Sequence, residues 1–153
     1  MRPFLCYSGT HMAQLLSGLP ALADFAATLV AGLTPTPGKA TVIGLSGDLG
    51  SGKTAFTKEC ARLLGVTEEV LSPTFVIAKF YPLSGRAWAQ LVHIDAYRIE
   101  DPAEIRVLRW DDLLADPRNL VIIEWPEQLG DLFPTDAQQL HFRFIDETTR
   151  EVG

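Results

Sequence analysis

Only two cysteines, Cys6 and Cys60, occur in the 153 residues. They are too few and too isolated for a zinc ribbon or a disulfide framework, so a reducing compartment is the expected setting. Both read as ordinary small apolar residues. Basic residues are also scarce. Thirteen Lys and Arg face nineteen Asp and Glu, a net charge of −6, which is the wrong sign for a surface that gains affinity by displacing counterions from nucleic acid. Contact with RNA is therefore expected only indirectly, through a partner. Long apolar runs are missing too: residues 19–33 contain Pro20 and Asp24 and fall short of the ~20 residues that span a bilayer. Arg2 is followed by Pro3 and no sustained apolar stretch, so no signal peptide is read. These absences point to the cytoplasm and away from a membrane.

What is present suffices for a packed core, with 47% hydrophobic and 21% charged residues, and the length matches one domain spanning residues 1–153. Residues 1–18 are weakly patterned and are expected to be poorly ordered. Leu22, Phe25, Ala26, Leu29, Val30 and Leu33 recur at three- and four-residue spacing, which predicts an amphipathic helix over 19–33. Thr41-Val-Ile-Gly-Leu-Ser46 reads as a buried parallel strand, and residues 53–64 as a helix stopped by Gly65. Residues 75–81 and 88–95 flank a turn-forming Pro82-Leu-Ser-Gly85 and suggest a hairpin. Asp101-Pro102-Ala103-Glu104 supplies a cap, a proline at the first helical position and a carboxylate for a short helix. Leu120-Val-Ile-Ile123 and residues 139–145 complete the strands. The fold class is α/β, a mixed β-sheet flanked by helices.

The chemistry is concentrated in Gly47-Asp-Leu-Gly-Ser-Gly-Lys-Thr54, which satisfies the P-loop pattern and follows a strand and opens a helix, as a single P-loop NTPase domain requires. Glycines let the backbone turn tightly, and the amides of Asp48, Leu49, Gly50, Ser51, Gly52, Lys53 and Thr54 can then form a nest for phosphates at a helix N-terminus. The Lys53 side chain can reach the β- and γ-phosphates of ATP, and the Thr54 hydroxyl can ligate Mg²⁺. The alternative is a plain glycine-rich turn.

Mg²⁺ in such sites takes one or two carboxylates besides the hydroxyl. Asp95 and Glu124 each end a buried apolar run, at the edge of a parallel sheet where ligands bind. Glu124 could instead be paired to an arginine, and Asp95 could end a hairpin strand for solvation alone. Ser72-Pro73-Thr74-Phe75 is a turn into a strand when taken alone, but after a P-loop helix Thr74 can serve as a switch that senses the γ-phosphate. His93 reads as a core or hydrogen-bonded histidine, and Trp110 and Trp125 as core or rim aromatics, with Trp125 able to border the nucleotide. No Asn-Lys-x-Asp element for guanine is present, which favours ATP over GTP.

Four motifs in order, Gly47-Asp-Leu-Gly-Ser-Gly-Lys-Thr54, Ser72-Pro-Thr-Phe75, His93-Ile-Asp-Ala-Tyr-Arg98 and Ile123-Glu-Trp-Pro126, resemble the TsaE (YjeE) family of small P-loop ATPases of tRNA threonylcarbamoyladenosine biosynthesis. The resemblance implies an Mg²⁺-dependent ATPase that acts with TsaD and TsaB, where TsaD modifies adenosine 37 of tRNA. It also implies that Thr54 and Glu124 bind the metal, with Asp95 beside it. Ser51 and Ala96 replace the family's usual alanine and leucine, and Ala21 stands where the first helix usually carries a hydroxyl. Thr149-Arg150 resembles the family's late Gly-Arg, which makes Arg150 a candidate for the base side of the nucleotide pocket. The last strand is expected to be shorter than in longer members. On this reading Lys53 and Glu124 are the catalytic pair, with Glu124 also orienting the attacking water. With only Arg98 as a candidate arginine finger, turnover by the isolated chain should be slow. A small-molecule kinase and a nucleotide-gated binding module are the competing functions.

Overall fold

The computed structural model describes residues 12–73 and 76–153. In chain order its elements are β1 (Gln14–Ser17), α1 (Gly18–Gly32), β2 (Thr41–Gly47), α2 (Lys53–Leu63), β3 (Ala78–Pro82) and β4 (Gln90–Asp95). A 3₁₀ segment Pro102–Leu108, α3 (Trp110–Ala115), β5 (Asn119–Glu124), 3₁₀ turns over Pro126–Leu132, β6 (Gln138–Phe144) and β7 (Thr149–Val152) follow. The described strands form one sheet of order β1-β7-β6-β2-β5-β4-β3. β2 runs parallel to both β5 and β6, and β5 runs parallel to β4. The carboxyl ends of these four strands therefore lie along one edge. β3, β7 and β1 add to the flanks antiparallel to their neighbours, so the sheet is mixed, as the sequence predicts.

Period-two alternation divides each central strand between two cores. Leu91, Leu120, Ile122, Ile43 and Leu45 join Leu22, Ala26 and Leu29 of α1 and Phe56, Cys60 and Ala61 of α2 in one cluster. Val92, Ile94, Ala96, Val121 and Ile123 face the other way, onto Ile105, Trp110, Leu113 and Leu129. His93, Asp95 and Glu124 follow the first set in phase and so belong to the face covered by α1 and α2. Phe56 is fully buried, its ring tilted against Phe25 at 5.8 Å and Phe142 at 5.4 Å. That stack ties α1, α2 and β6 together one turn below Lys53, and truncation of such a ring costs about 3–5 kcal/mol.

Three departures from the sequence reading have local causes. Residues 14–17 form β1 and pair with β7, so the weakly patterned start contains an edge strand whose alternation leaves only Leu16 buried. The last strand folds back into a hairpin, where the Asp146 carboxylate accepts the amides of Thr148 and Thr149 at 2.9 and 2.8 Å and closes the turn. The strand expected from Phe75 begins at Ala78 instead, because Ile77 sits at φ 62° and the Ala78 amide bonds back to the Val76 carbonyl at 2.7 Å. Phe75 itself lies outside the described residues. The short helix after Asp101 forms as a 3₁₀ segment with the expected reciprocal cap. Among the described residues no helix is long and apolar enough to cross a membrane.

Candidate functional site

β2 ends at Gly47, whose missing side chain is a steric requirement. A Cβ there would lie 2.0 Å from the Phe142 carbonyl oxygen of β6, at φ 132°. The loop then runs through exposed Asp48, Leu49 and Gly50, turns on an Asp48 carbonyl to Ser51 amide bond of 3.1 Å, and enters α2 through Gly52 at φ 105°. The first-turn amides of α2 receive no side-chain cap, which leaves donors and the positive end of the helix dipole facing the loop. This is the arrangement that binds a phosphate.

Lys53 folds over this cradle. Its Nζ donates to the Gly47 carbonyl, to the Asp48 carbonyl at 2.8 Å and to Ser51 Oγ at 3.3 Å, and it lies 4.3 Å above the Trp125 ring. Burial holds the ammonium below its ordinary value, with the Glu124 carboxylate acting in the opposite direction. Trp125 is set by a left-handed backbone at φ 60° and by its amide bond to the Leu45 carbonyl at 3.0 Å. Its ring packs on Tyr97 at 5.0 Å, so an aromatic wall closes one side of the loop.

Thr54, the next residue of α2, hydrogen-bonds both oxygens of Glu124, Oε1 at 3.0 Å and Oε2 at 2.9 Å. Glu124 is 3% exposed. A buried carboxylate needs donors, and the second is His93 Nε2, 2.7 Å from Oε1. Glu124 is thus paired to a hydroxyl and an imidazole, not to an arginine. Asp95 stands opposite Glu124 in the β4/β5 register. Its Oδ2 accepts from Ser72 Oγ at 3.0 Å and its Oδ1 from the Tyr97 amide at 2.9 Å. Thr54, Asp95 and Glu124 offer hard oxygen donors. That set fits Mg²⁺, which shares its shell with phosphate oxygens and water instead of an all-protein cage. Among the described residues no group of three His, Cys, Asp or Glu side chains converges as such a cage would.

The family model described as threonylcarbamoyl adenosine biosynthesis protein TsaE matches residues 19–152. The chain belongs to the TsaE family. Among curated members of the family, the Bacillus subtilis protein is 36% identical over 72% of this chain and 66% of its own length. The Rickettsia bellii protein is 32% identical over 83% of each chain. The Streptomyces coelicolor protein is 39% identical over 71% of this chain and 72% of its own. Each is named a tRNA threonylcarbamoyladenosine biosynthesis protein. A crystal structure of Bacillus subtilis YdiB superposes with a TM-score of 0.68 at 27% identity, covering 94% of this chain and 86% of that one.

Of the residues singled out in the sequence, the fold brings Asp48 to Thr54, Glu124 and Asp95 to the carboxyl edge of the sheet. Arg150 arrives from β7, its side chain within 3.8 Å of where a Gly52 Cβ would stand and its guanidinium 4.7 Å over the Phe144 ring. Thr74 lies outside the described residues. Ala21 packs against the α1/α2 core, and Trp110 is buried with its indole donating to the Leu132 carbonyl at 3.0 Å. Two site contacts escaped the sequence reading. Ser72 lies in the same motif as the switch candidate Thr74, and the Ser72 hydroxyl reaches Asp95. His93 shares a strand face with Asp95 at two-residue spacing, but its contact with Glu124 depends on the β4/β5 register, which no local pattern carries.

Proposed function

We propose that this chain is an Mg²⁺-dependent ATPase of tRNA threonylcarbamoyladenosine biosynthesis, acting with TsaD and TsaB and meeting tRNA only through them, in the cytoplasm. The observation that carries the proposal is the hydrogen bond from the P-loop hydroxyl of Thr54 to the strand-end carboxylate of Glu124. With its hydrogen given to Glu124, the Thr54 oxygen keeps its lone pairs for a cation beside the β- and γ-phosphates.

In this reading residues 1–153 work as one nucleotide-binding domain. The amides of Asp48 to Thr54 hold the phosphates, and Lys53 leaves the loop carbonyls to pair with the β- and γ-phosphate oxygens, for which the burial that depresses its ammonium is relieved by anionic partners. Thr54, Asp95 and Glu124 would hold Mg²⁺, which when bound neutralises charge developing on the transferred phosphoryl group. Glu124 also orients the attacking water, Thr74 reports the γ-phosphate to the partner, and Arg150 lies on the base side. The tRNA role comes from the family and the names its members carry.

The test measures phosphate release from Mg-ATP by the chain alone and with TsaD and TsaB, beside tRNA threonylcarbamoylation. Partner-stimulated hydrolysis abolished in Lys53→Ala and Glu124→Ala supports the coupled ATPase. Phosphate passed to a metabolite would install the kinase reading. A Glu124→Ala chain that binds ATP, hydrolyses none and still supports tRNA modification would install the nucleotide-gated module.

A further inference from the structure

His93 is fully buried, sits on no surface a ligand can reach, and yet spends one ring nitrogen on Glu124. Its Nε2 is 2.7 Å from Glu124 Oε1, while Nδ1 is buried with no hydrogen-bond partner among the described residues. An ionised carboxylate only accepts, so the proton of this bond belongs to Nε2. A proton on Nδ1 would be a buried donor with nothing to receive it, which is the costlier kind of orphan. The ring is thereby fixed as the Nε2–H tautomer, with a bare lone pair at Nδ1 facing the core.

The consequence falls on Glu124. The single hydrogen of Thr54 Oγ1 is shared between Oε1 and Oε2 at nearly equal distances, 3.0 and 2.9 Å, and a bond so divided does not choose between the oxygens. The imidazole does. We propose that His93 is a positioning residue that anchors Glu124 through Oε1 and so reserves Oε2 for Thr54 and the reacting end of the nucleotide. The inference rests on the ATPase reading above and adds to it a strand residue that touches neither phosphate nor the cradle. Outer partners of this kind orient the groups that hold a metal, and their loss typically costs ~10–100-fold in metal affinity or activity.

The test compares His93→Leu, which removes the donor, with His93→Gln, whose side-chain amide restores an N–H near the Nε2 position. ATP affinity is measured in the full-length chain by calorimetry with Mg²⁺ and with EDTA, beside partner-stimulated turnover, and melting temperatures identify any variant that does not fold. The expected result is affinity in EDTA within ~2-fold of wild type for both variants, since the phosphate cradle is untouched. In His93→Leu the gain in affinity on adding Mg²⁺ and the turnover each fall ~10–100-fold, and His93→Gln recovers most of both. Nitrogen NMR of the wild-type imidazole, which requires neither fold change nor activity, should find the proton on Nε2 alone. Wild-type Mg²⁺ response in a folded His93→Leu, equal impairment of folded Leu and Gln variants, or a proton on Nδ1 would each overturn the proposal. If the wild-type chain binds Mg-ATP but never hydrolyses it, the ATPase reading falls, while the Mg²⁺-dependent affinities still decide the role of His93.

Discussion

Replacing Gly47 with alanine tests the closest backbone approach around the candidate site. The added Cβ would stand 2.0 Å from the Phe142 carbonyl oxygen and 2.9 Å from its carbon, and ordinary contact begins near 3.4 Å. The atom in the way is main chain of the paired strand, so no rotamer change relieves it, and β2 and β6 must part by about 1.4 Å at that point. A ladder hydrogen bond does not survive such a displacement. Overpacking of this kind costs ~1–3 kcal/mol, and the positive φ of 132° adds a left-handed penalty of ~1–2 kcal/mol. Gly85→Ala is the control, because Gly85 has φ +66° and nothing within 4 Å, so it carries the backbone penalty alone. At ~2–4 °C per kcal/mol for a chain of this size, Gly47→Ala should melt roughly 2–12 °C below Gly85→Ala in thermal scans followed by circular dichroism without nucleotide. Equal melting temperatures for the two variants would refute the close approach of β6 to the start of the loop.

Thr54→Val keeps the shape and removes the hydroxyl that serves Glu124. We expect the Mg²⁺-dependent part of ATP affinity to fall ~10–100-fold by calorimetry and Thr54→Ser to stay within a few-fold of wild type, an expectation lost if the valine chain responds to Mg²⁺ normally. Burial lowers the Lys53 value from 10.5, so below the lowered value both folded and unfolded chains carry the charge and the cost of burying it is present in full. As pH climbs through the lowered value towards 10.5 the folded chain gives up its proton first, and wild-type stability should rise relative to Lys53→Met in urea melts; a difference flat with pH contradicts this. Burial pushes the Cys60 thiol up to about 12, and the thiolate is the reactive form. In a Cys6→Ser background an aromatic disulfide reagent should therefore label Cys60 only at the rate of unfolding, and rapid labelling in native buffer would show the α1/α2 core to be open.

Much of the fold and of the site is legible in the sequence because the signals are local. The P-loop is written contiguously in residues 47–54, since one turn and one helix start must supply every phosphate-binding amide. The apolar runs ending in Asp95 and Glu124 mark buried strands that stop with an acid where a solvated or ligand-bound end is expected. α1 and α2 carry their own periodicity and, for α2, the Gly65 stop. By contrast, β1 is four residues long and β7 four more, too short for alternation to distinguish them from loop; β7 is a strand because it pairs with β6 on one side and β1 on the other, and β1 because it pairs with β7. β3 starts at Ala78, later than its apolar run suggests, because Ile77 adopts a left-handed backbone that a β-branched residue does not announce.

By itself the sequence determined the chemistry on offer: a phosphate loop, a hydroxyl at its end, two strand-end carboxylates and the four ordered motifs. Which groups meet was decided by the tertiary structure. Thr54 reaches a residue seventy positions away because β2 and β5 are adjacent and parallel, with Leu45 level with Glu124. His93 reaches the same carboxylate because β4 pairs with β5 so that Asp95 and Glu124 are level. A shift of one residue in that register would turn Glu124 onto the opposite face of the sheet. The physical reason is that side-chain type is a local property, whereas register is set by the packing of two whole sheet faces, and a carboxylate buried between them is tolerable only where that packing delivers its donors.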